Sequence, residues 1–180
     1  EGIIGGGVKW FDPIENLERL VGPIDDKIAI IERRRKRLYE IIDSTPLLPG
    51  VESYIHDAKE MGLKVGLASS STSEWVERHL KDRGLLPYFE AMATRDEVSL
   101  VKPDPELYLK VVRKLNSNPT QTLAIEDSVN GLEAAKAAGL LCAVVPNPMT
   151  EDMDFQKADL ILGSLENLSL KKLLTTITPY

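Results

Sequence analysis

Two adjacent carboxylates, Glu126 and Asp127, are the residues whose types and spacing most suggest chemistry. They stand inside Thr122–Gly139, TLAIEDSVNGLEAAKAAG. Neighbouring carboxylates repel each other and resist burial, so such a corner calls for a positive partner. An all-oxygen donor set suits a hard cation such as Mg²⁺. A second candidate group is Ser69, Ser70, Ser71 and Thr72. There hydroxyls and free backbone N–H groups converge where a helix follows a strand, an anion site suited to a phosphoryl group. The third is Lys102 in VKPDP, an extended segment held by Pro103 and Pro105. Aimed inward, its ammonium would offset the two carboxylates and hold a transferring phosphate. Each group also has a plainer account. Asp127 or Ser128 could simply cap a helix, Ser71 or Ser73 could cap the next, and Lys102 could be solvated. Capping needs only one hydroxyl, however, and leaves Ser69 unexplained.

The elements that would position these groups are regular from Val51 onward. The pattern predicts a helix over Val51–Met61 closed by Gly62, then a buried strand over Leu63–Ala68. A helix over Glu74–Arg83 stopped by Gly84 precedes a short strand at Phe89–Ala93. Asp104–Pro105 opens a helix over Glu106–Leu115. Thr122–Ile125 is a buried strand, and the helix over Asn130–Ala138 follows the N-cap Ser128. Leu141–Val145 and Leu160–Leu162 are the last strands, with a terminal helix near Leu168–Thr175. Alternating strand and helix imply an α/β fold with a doubly wound parallel sheet. In such a sheet the site lies beyond the carboxyl ends of the strands. Ser69 and the Glu126–Asp127 pair both fall at those ends.

The first 45 residues have a different rhythm. Gly2–Gly7 lacks the frame of a phosphate loop and reads as a lead-in. Asp12, Pro13 and Glu15 have the spacing of a helix cap, so a helix is expected over Pro13–Val21, with Asp12 capping rather than catalysing. Ile28, Ile31, Leu38 and Ile41–Ile42 recur at helical spacing within Ile24–Asp43, around the basic block Arg33–Arg37. That block reads as a solvated face; the alternative is that Arg33 or Arg34 leans over an anionic site. Thr45–Gly50 (TPLLPG) breaks the pattern as a hinge. Residues 1–45 therefore form a small helical piece, and residues 46–180 an α/β core.

Composition narrows the partners. The net charge of −6 over 180 residues argues against a nucleic-acid binder and supports no membrane-surface attachment. No apolar run has transmembrane length. The one cysteine, Cys142, lies in an apolar strand and reads as a buried thiol, which fits a reducing, cytoplasmic setting. His56 and His79 sit in amphipathic helices without ligand-spaced partners.

Taken in order, LASSS with Ser69, VKPDPELY with Lys102 and LAIEDSVNGLEAAKAAG with Glu126 and Asp127 resemble motifs two, three and four of the haloacid dehalogenase-like hydrolases. Within that superfamily the chain is most similar to the β-phosphoglucomutase-like branch, over about Leu47–Asn167. Weaker similarity to that branch's α-helical cap covers Phe11–Asp43. The resemblance implies an attacking aspartate, an aspartyl-phosphate resolved by water or a sugar hydroxyl, and a second aspartate as acid and base. It implies Mg²⁺ held partly by Glu126 and Asp127, with Ser69, Ser70 and Ser71 near the phosphate and Lys102 bridging phosphate and nucleophile. The expected substrate is a small phosphorylated metabolite, and the activity a phosphatase's, with a phosphosugar mutase as the alternative.

The family's first motif, a buried strand ending in Asp-x-Asp, has no counterpart in the sequence. Asp12 is followed two residues on by Ile14, and Asp152–Asp154 (DMD) lies in a polar stretch after Pro148. The expectation is a family member lacking its nucleophile and its first core strand, inactive as written. A non-catalytic form that binds a phosphate-bearing ligand or a partner is the other possibility.

Overall fold

The computed structural model describes residues 12–177. The glycine-rich lead-in Gly2–Gly7 and the segment Val8–Phe11 lie outside the described residues. The chain divides into two compact units, and the break falls between Leu48 and Pro49, inside the Thr45–Gly50 segment.

The smaller unit carries two helices, α1 (Pro13–Val21) and α2 (Lys27–Ser44). Asp12 caps α1 with its carboxylate, which accepts the backbone N–H groups of Ile14 at 2.8 Å and Glu15 at 3.2 Å. Its side chain is committed to structure. The second helix begins three residues later than its apolar spacing suggests, because Asp26 caps it by accepting the Ala29 N–H at 2.9 Å. Ile24 donates its N–H instead to the Glu18 carboxylate at 3.3 Å. The Arg33–Arg37 block is exposed, with Arg37 paired to Glu40 at 3.2 Å.

In the larger unit, α3 (Val51–Glu60), β1 (Gly66–Ala68), α4 (Ser73–Asp82) and β2 (Ala91–Ala93) come first. They are followed by α5 (Glu106–Lys114), β3 (Leu123–Glu126), α6 (Val129–Ala137), β4 (Leu141–Val144), β5 (Leu160–Ile161) and α7 (Leu170–Ile177). All strand pairs are parallel, as the alternation requires. The first strand is shorter than its apolar run, since Leu63 is still leaving α3, its N–H donating to Ala58 O at 2.8 Å. The described strands form two sheets, β1–β2 and β3–β4–β5, with no ladder joining β1 to β3. That interruption lies between the strands ending at Ser69 and at Asp127.

Side chains alternate across β4 and so fix both faces. Cys142 and Val144 join α5, α6 and Phe155 in one apolar cluster, whereas Ala143 points into a second with α3 and α7. The α5 helix serves both sheets. Leu107, Val111 and Leu115 pack with Ala91 and Ala93 of β2, and Tyr108 and Val112 pack with Ala124, Cys142 and Val144. Close approach at β1 depends on Gly66, where a Cβ would lie 2.5 Å from Val111 Cγ1. No helix among the described residues is long and apolar enough to cross a membrane.

Burial accounts for the chemistry of Cys142. The thiol is fully buried, and burial foremost, then the charge of Glu126, pushes it up to about 12. Thiolate is the reactive form, so the folded chain at pH 8 should resist an aromatic disulfide reagent and react only as it unfolds in urea. Rapid stoichiometric labelling without denaturant would contradict this packing.

Candidate active site

Three chain corners converge on one open cavity of about 200 Å³, lined by Ala68, Ser69, Ser70, Lys102, Glu126, Asp127, Ser128 and Asn130. Its walls are the carboxyl ends of β1 and β3, the first turn of α6 and the loop before α5. The sequence pattern separately indicated Ser69, Ser70, Lys102, Glu126 and Asp127, and all five meet there. Ser71 does not line the cavity; its N–H donates to Ser69 Oγ at 3.1 Å and its carbonyl accepts the Arg95 N–H.

The hydroxyl corner is not consumed by capping. Thr72 caps α4, accepting the Trp75 N–H at 3.4 Å, and Asp96 accepts the Ser73 N–H at 2.6 Å. Ser73 Oγ contacts Thr94 Oγ1 at 2.6 Å. These partners leave Ser69 and Ser70 facing the cavity ahead of a helix N-terminus, where hydroxyls and amide dipoles favour an anion.

The two carboxylates behave differently. Glu126 is buried, and its Oε1 accepts Lys102 Nζ at 2.5 Å; the side chains are 6% and 13% exposed, respectively. The hydroxyl of Tyr108 also donates to that oxygen. Lys102 Nζ lies 3.4 Å from the Tyr108 hydroxyl and 4.6 Å from the ring centroid, an additional cation–π contact. Burial, then the charge of Glu126, holds the Tyr108 phenol well above its ordinary value, so the hydroxyl remains a donor. Asp127, by contrast, is exposed at the cavity, and its Oδ2 accepts Asn147 Nδ2 at 3.0 Å.

The sequence pattern did not single out Tyr108 or Asn147. Tyr108 shares an apolar helix face with Leu107, Val111 and Val112, so its spacing reads as core. The available signal was its hydroxyl, because a buried phenol needs a partner.

The donor set fits a hard cation. The cavity offers an accessible carboxylate on Asp127, the Glu126 carboxylate beside it and serine hydroxyls. Mg²⁺ is commonly held by one or two carboxylates together with substrate phosphate oxygens. Among the described residues no cluster of three metal-ligating acidic, histidine or cysteine side chains exists. Ser128 caps α6, its Oγ accepting the Gly131 N–H at 3.2 Å. Gly131 gives Glu126 its space: a Cβ there would lie 1.8 Å from Oε2.

Glycine-to-alanine in a helix ordinarily stabilises by roughly 0.5–1 kcal/mol. At Gly131 the sign should reverse, because displacing Glu126 breaks a buried pair, a loss of about 3–5 kcal/mol. Tyr108→Phe should lose about 1.5–3 kcal/mol through the missing bond to a charged acceptor. Urea unfolding of both variants checks these values, and a more stable Gly131→Ala chain would refute the cradle.

A model of the haloacid dehalogenase-like hydrolases matches residues 3–139. YhcW of Bacillus subtilis (strain 168) is 43% identical over 173 residues, covering 96% of this chain and 79% of that protein. Hexitol phosphatase B of Escherichia coli (strain K12) is 41% identical over 147 residues, 81% of this chain and 66% of that protein. The chain thus spans only about two thirds of the latter's length. Among solved structures, CbbY from Rhodobacter sphaeroides in complex with phosphate superposes with a TM-score of 0.74 at 32% identity, covering 93% of this chain and 85% of that one. For β-phosphoglucomutase from Clostridium difficile the TM-score is 0.71 at 26% identity, covering 91% and 76%. With the family model spanning most of the sequence and three motifs meeting at one cavity, the chain belongs to the haloacid dehalogenase-like hydrolases.

Proposed function

We propose that this chain carries the phosphate- and metal-binding half of a phosphatase site for a small phosphorylated metabolite. The observation that carries this reading is the convergence of Ser69, Lys102 and Asp127 on one cavity. Ser69 and Ser70 donate hydrogen bonds to phosphate oxygens at the start of α4. Lys102, held by Glu126 and Tyr108, presents a fixed positive charge to the phosphate. Preorganisation lets that charge act without rearrangement as negative charge shifts during transfer. Mg²⁺ bound at Asp127, with Glu126 beside it, would neutralise phosphate charge.

The reaction is phosphomonoester hydrolysis. A carboxylate oxygen bonds to phosphorus as the ester P–O bond breaks, and the departing alcohol oxygen takes a proton from a general acid, which recovers it from the attacking water of the next step. Water then attacks phosphorus and releases phosphate and the free carboxylate. Neither carboxylate at the cavity suits the nucleophile's role: Glu126 is neutralised by Lys102, and Asp127 is assigned to the metal. Asp12 is a cap, and Asp154 accepts the Gln156 N–H at 2.9 Å. None of these four carboxylates is thus assigned as the nucleophile, which supports a reading in which the 180-residue chain binds phosphate without turning over. A phosphosugar mutase is the second reading, favoured by the likeness to β-phosphoglucomutase; there a sugar hydroxyl replaces water as acceptor.

Calorimetric titration of the 180-residue chain with inorganic phosphate should detect binding that strengthens with Mg²⁺. Asp127→Ala should remove the Mg²⁺ enhancement and leave the fold intact, since this side chain is exposed. Lys102→Ala should weaken phosphate binding by roughly 10- to 100-fold, the ~1.5–3 kcal/mol of a hydrogen bond to a charged group. The chain should release no p-nitrophenol from p-nitrophenyl phosphate above the buffer rate. Absence of phosphate binding would overturn the site assignment, and steady turnover would overturn the claim of inactivity.

A further inference from the structure

The loop that follows β4 holds a side chain that the three-motif reading leaves out. Val145 N–H donates to Glu126 O at 2.7 Å, continuing the β3–β4 ladder to the edge of the carboxylate corner. Two residues on, between Pro146 and Pro148, Asn147 stands opposite Asp127. Its Nδ2 donates to Asp127 Oδ2 at 3.0 Å, and its Oδ1 accepts the Met149 N–H at 2.8 Å. The second bond fixes the orientation of the first. With the amide oxygen taken by a backbone donor, only the NH₂ group can face the carboxylate. A flipped amide would set oxygen against oxygen and N–H against N–H.

The backbone of Asn147 is fastened as firmly. Its N–H donates to Thr150 Oγ1 at 3.0 Å, and its carbonyl accepts the N–H groups of Thr150 at 2.8 Å and Glu151 at 2.9 Å. Thr150 is itself buried, which anchors the turn to the core. The amide is therefore held in place whether or not a ligand is present.

We propose that Asn147 is a positioning residue for Asp127 that raises its affinity for a divalent cation. The inference rests on the reading of Asp127 as the metal-facing carboxylate. Asn147 occupies one carboxylate oxygen and leaves Oδ1 without a hydrogen bond among the described residues. Because the amide is neutral, it orients Asp127 without cancelling its charge. Lys102 does the opposite to Glu126, whose charge is neutralised and withdrawn from solvent. Hydrogen bonds to a ligating carboxylate are outer-shell contacts whose loss typically costs 10–100-fold in metal affinity.

Mn²⁺ is the probe, titrated into the 180-residue chain and followed by water-proton relaxation. Asp127→Ala should abolish binding. Asn147→Ala and Asn147→Ser should each weaken it 10- to 100-fold. The serine variant separates positioning from folding. Its hydroxyl oxygen can still accept the Met149 N–H in a serine turn but is too short to reach Asp127. Its urea midpoint should therefore match that of the unsubstituted chain while its Mn²⁺ affinity falls. No Mn²⁺ binding by the unsubstituted chain, or binding that survives Asp127→Ala, overturns the metal reading and this inference together. Binding lost in Asp127→Ala but unchanged in Asn147→Ser overturns this inference alone. So does an affinity loss in both asparagine variants that always accompanies a lowered unfolding midpoint, since Asn147 would then only fasten the loop.

Discussion

The buried pair between Lys102 and Glu126 is the constraint on which the rest of the site depends. Withdrawing two charges from water is costly, and their attraction offsets that cost only when geometry is good and spare donors and acceptors are matched. Here Glu126 takes both the Lys102 ammonium and the Tyr108 hydroxyl, and the ammonium also lies over the Tyr108 ring. Replacing the pair with apolar residues of similar volume could give a core of equal stability. Such a core would have no fixed cation at the mouth of β3. The arrangement holds Lys102 still at the edge of the cavity.

The same pair solves the problem of adjacent carboxylates. Two like charges on consecutive residues cannot both go uncompensated at a strand end, and the chain treats them unequally. Strand alternation sends Glu126 inward to the ammonium and leaves Asp127 outward, where a neutral amide steadies it. One carboxylate becomes part of the scaffold, and the other keeps its charge at the cavity. Gly131 makes this possible, because any larger residue would occupy the volume of the Glu126 carboxylate.

Much of this was legible in the sequence because it is local. Strand, acidic corner, N-cap and helix follow one another within Thr122–Gly139, and each has its own signal in residue type and period. Lys102 was legible as inward-facing through its place between a turn and a capped helix; the segment itself, expected to be extended, turns instead, with the Asp104 N–H donating to Val101 O at 3.1 Å. Tyr108 was hidden, because a tyrosine on an apolar helix face looks like packing and its partner stands eighteen positions along the chain. Asn147 was hidden for a different reason: between two prolines it has the composition of a turn, and it is one. Its second role depends on the parallel pairing of β3 and β4, a long-range contact that no local pattern announces. The late start of α2 has a local cause, the preference of Asp26 for a cap position over a helical one.

The site draws on both sheets, although no ladder connects them. Ser69 comes from the end of β1 in one, and Glu126 and Asp127 from the end of β3 in the other. Their separation must then be set by whatever packs against both, and α5 does so. Leu107 and Val111 bury against β2, while one residue round the helix Tyr108 and Val112 bury against β3 and β4. Gly66 lets the same helix approach β1 closely. Because Tyr108 is both a packing residue of α5 and a donor to Glu126, the helix that spaces the two sheets also registers Lys102 against the carboxylate corner. A shift of α5 along either sheet would move the cavity-lining serines and the acidic corner apart and weaken the ion pair in the same motion. The packing core and the chemical site of this unit are therefore one mechanical object, with Tyr108 as their shared part.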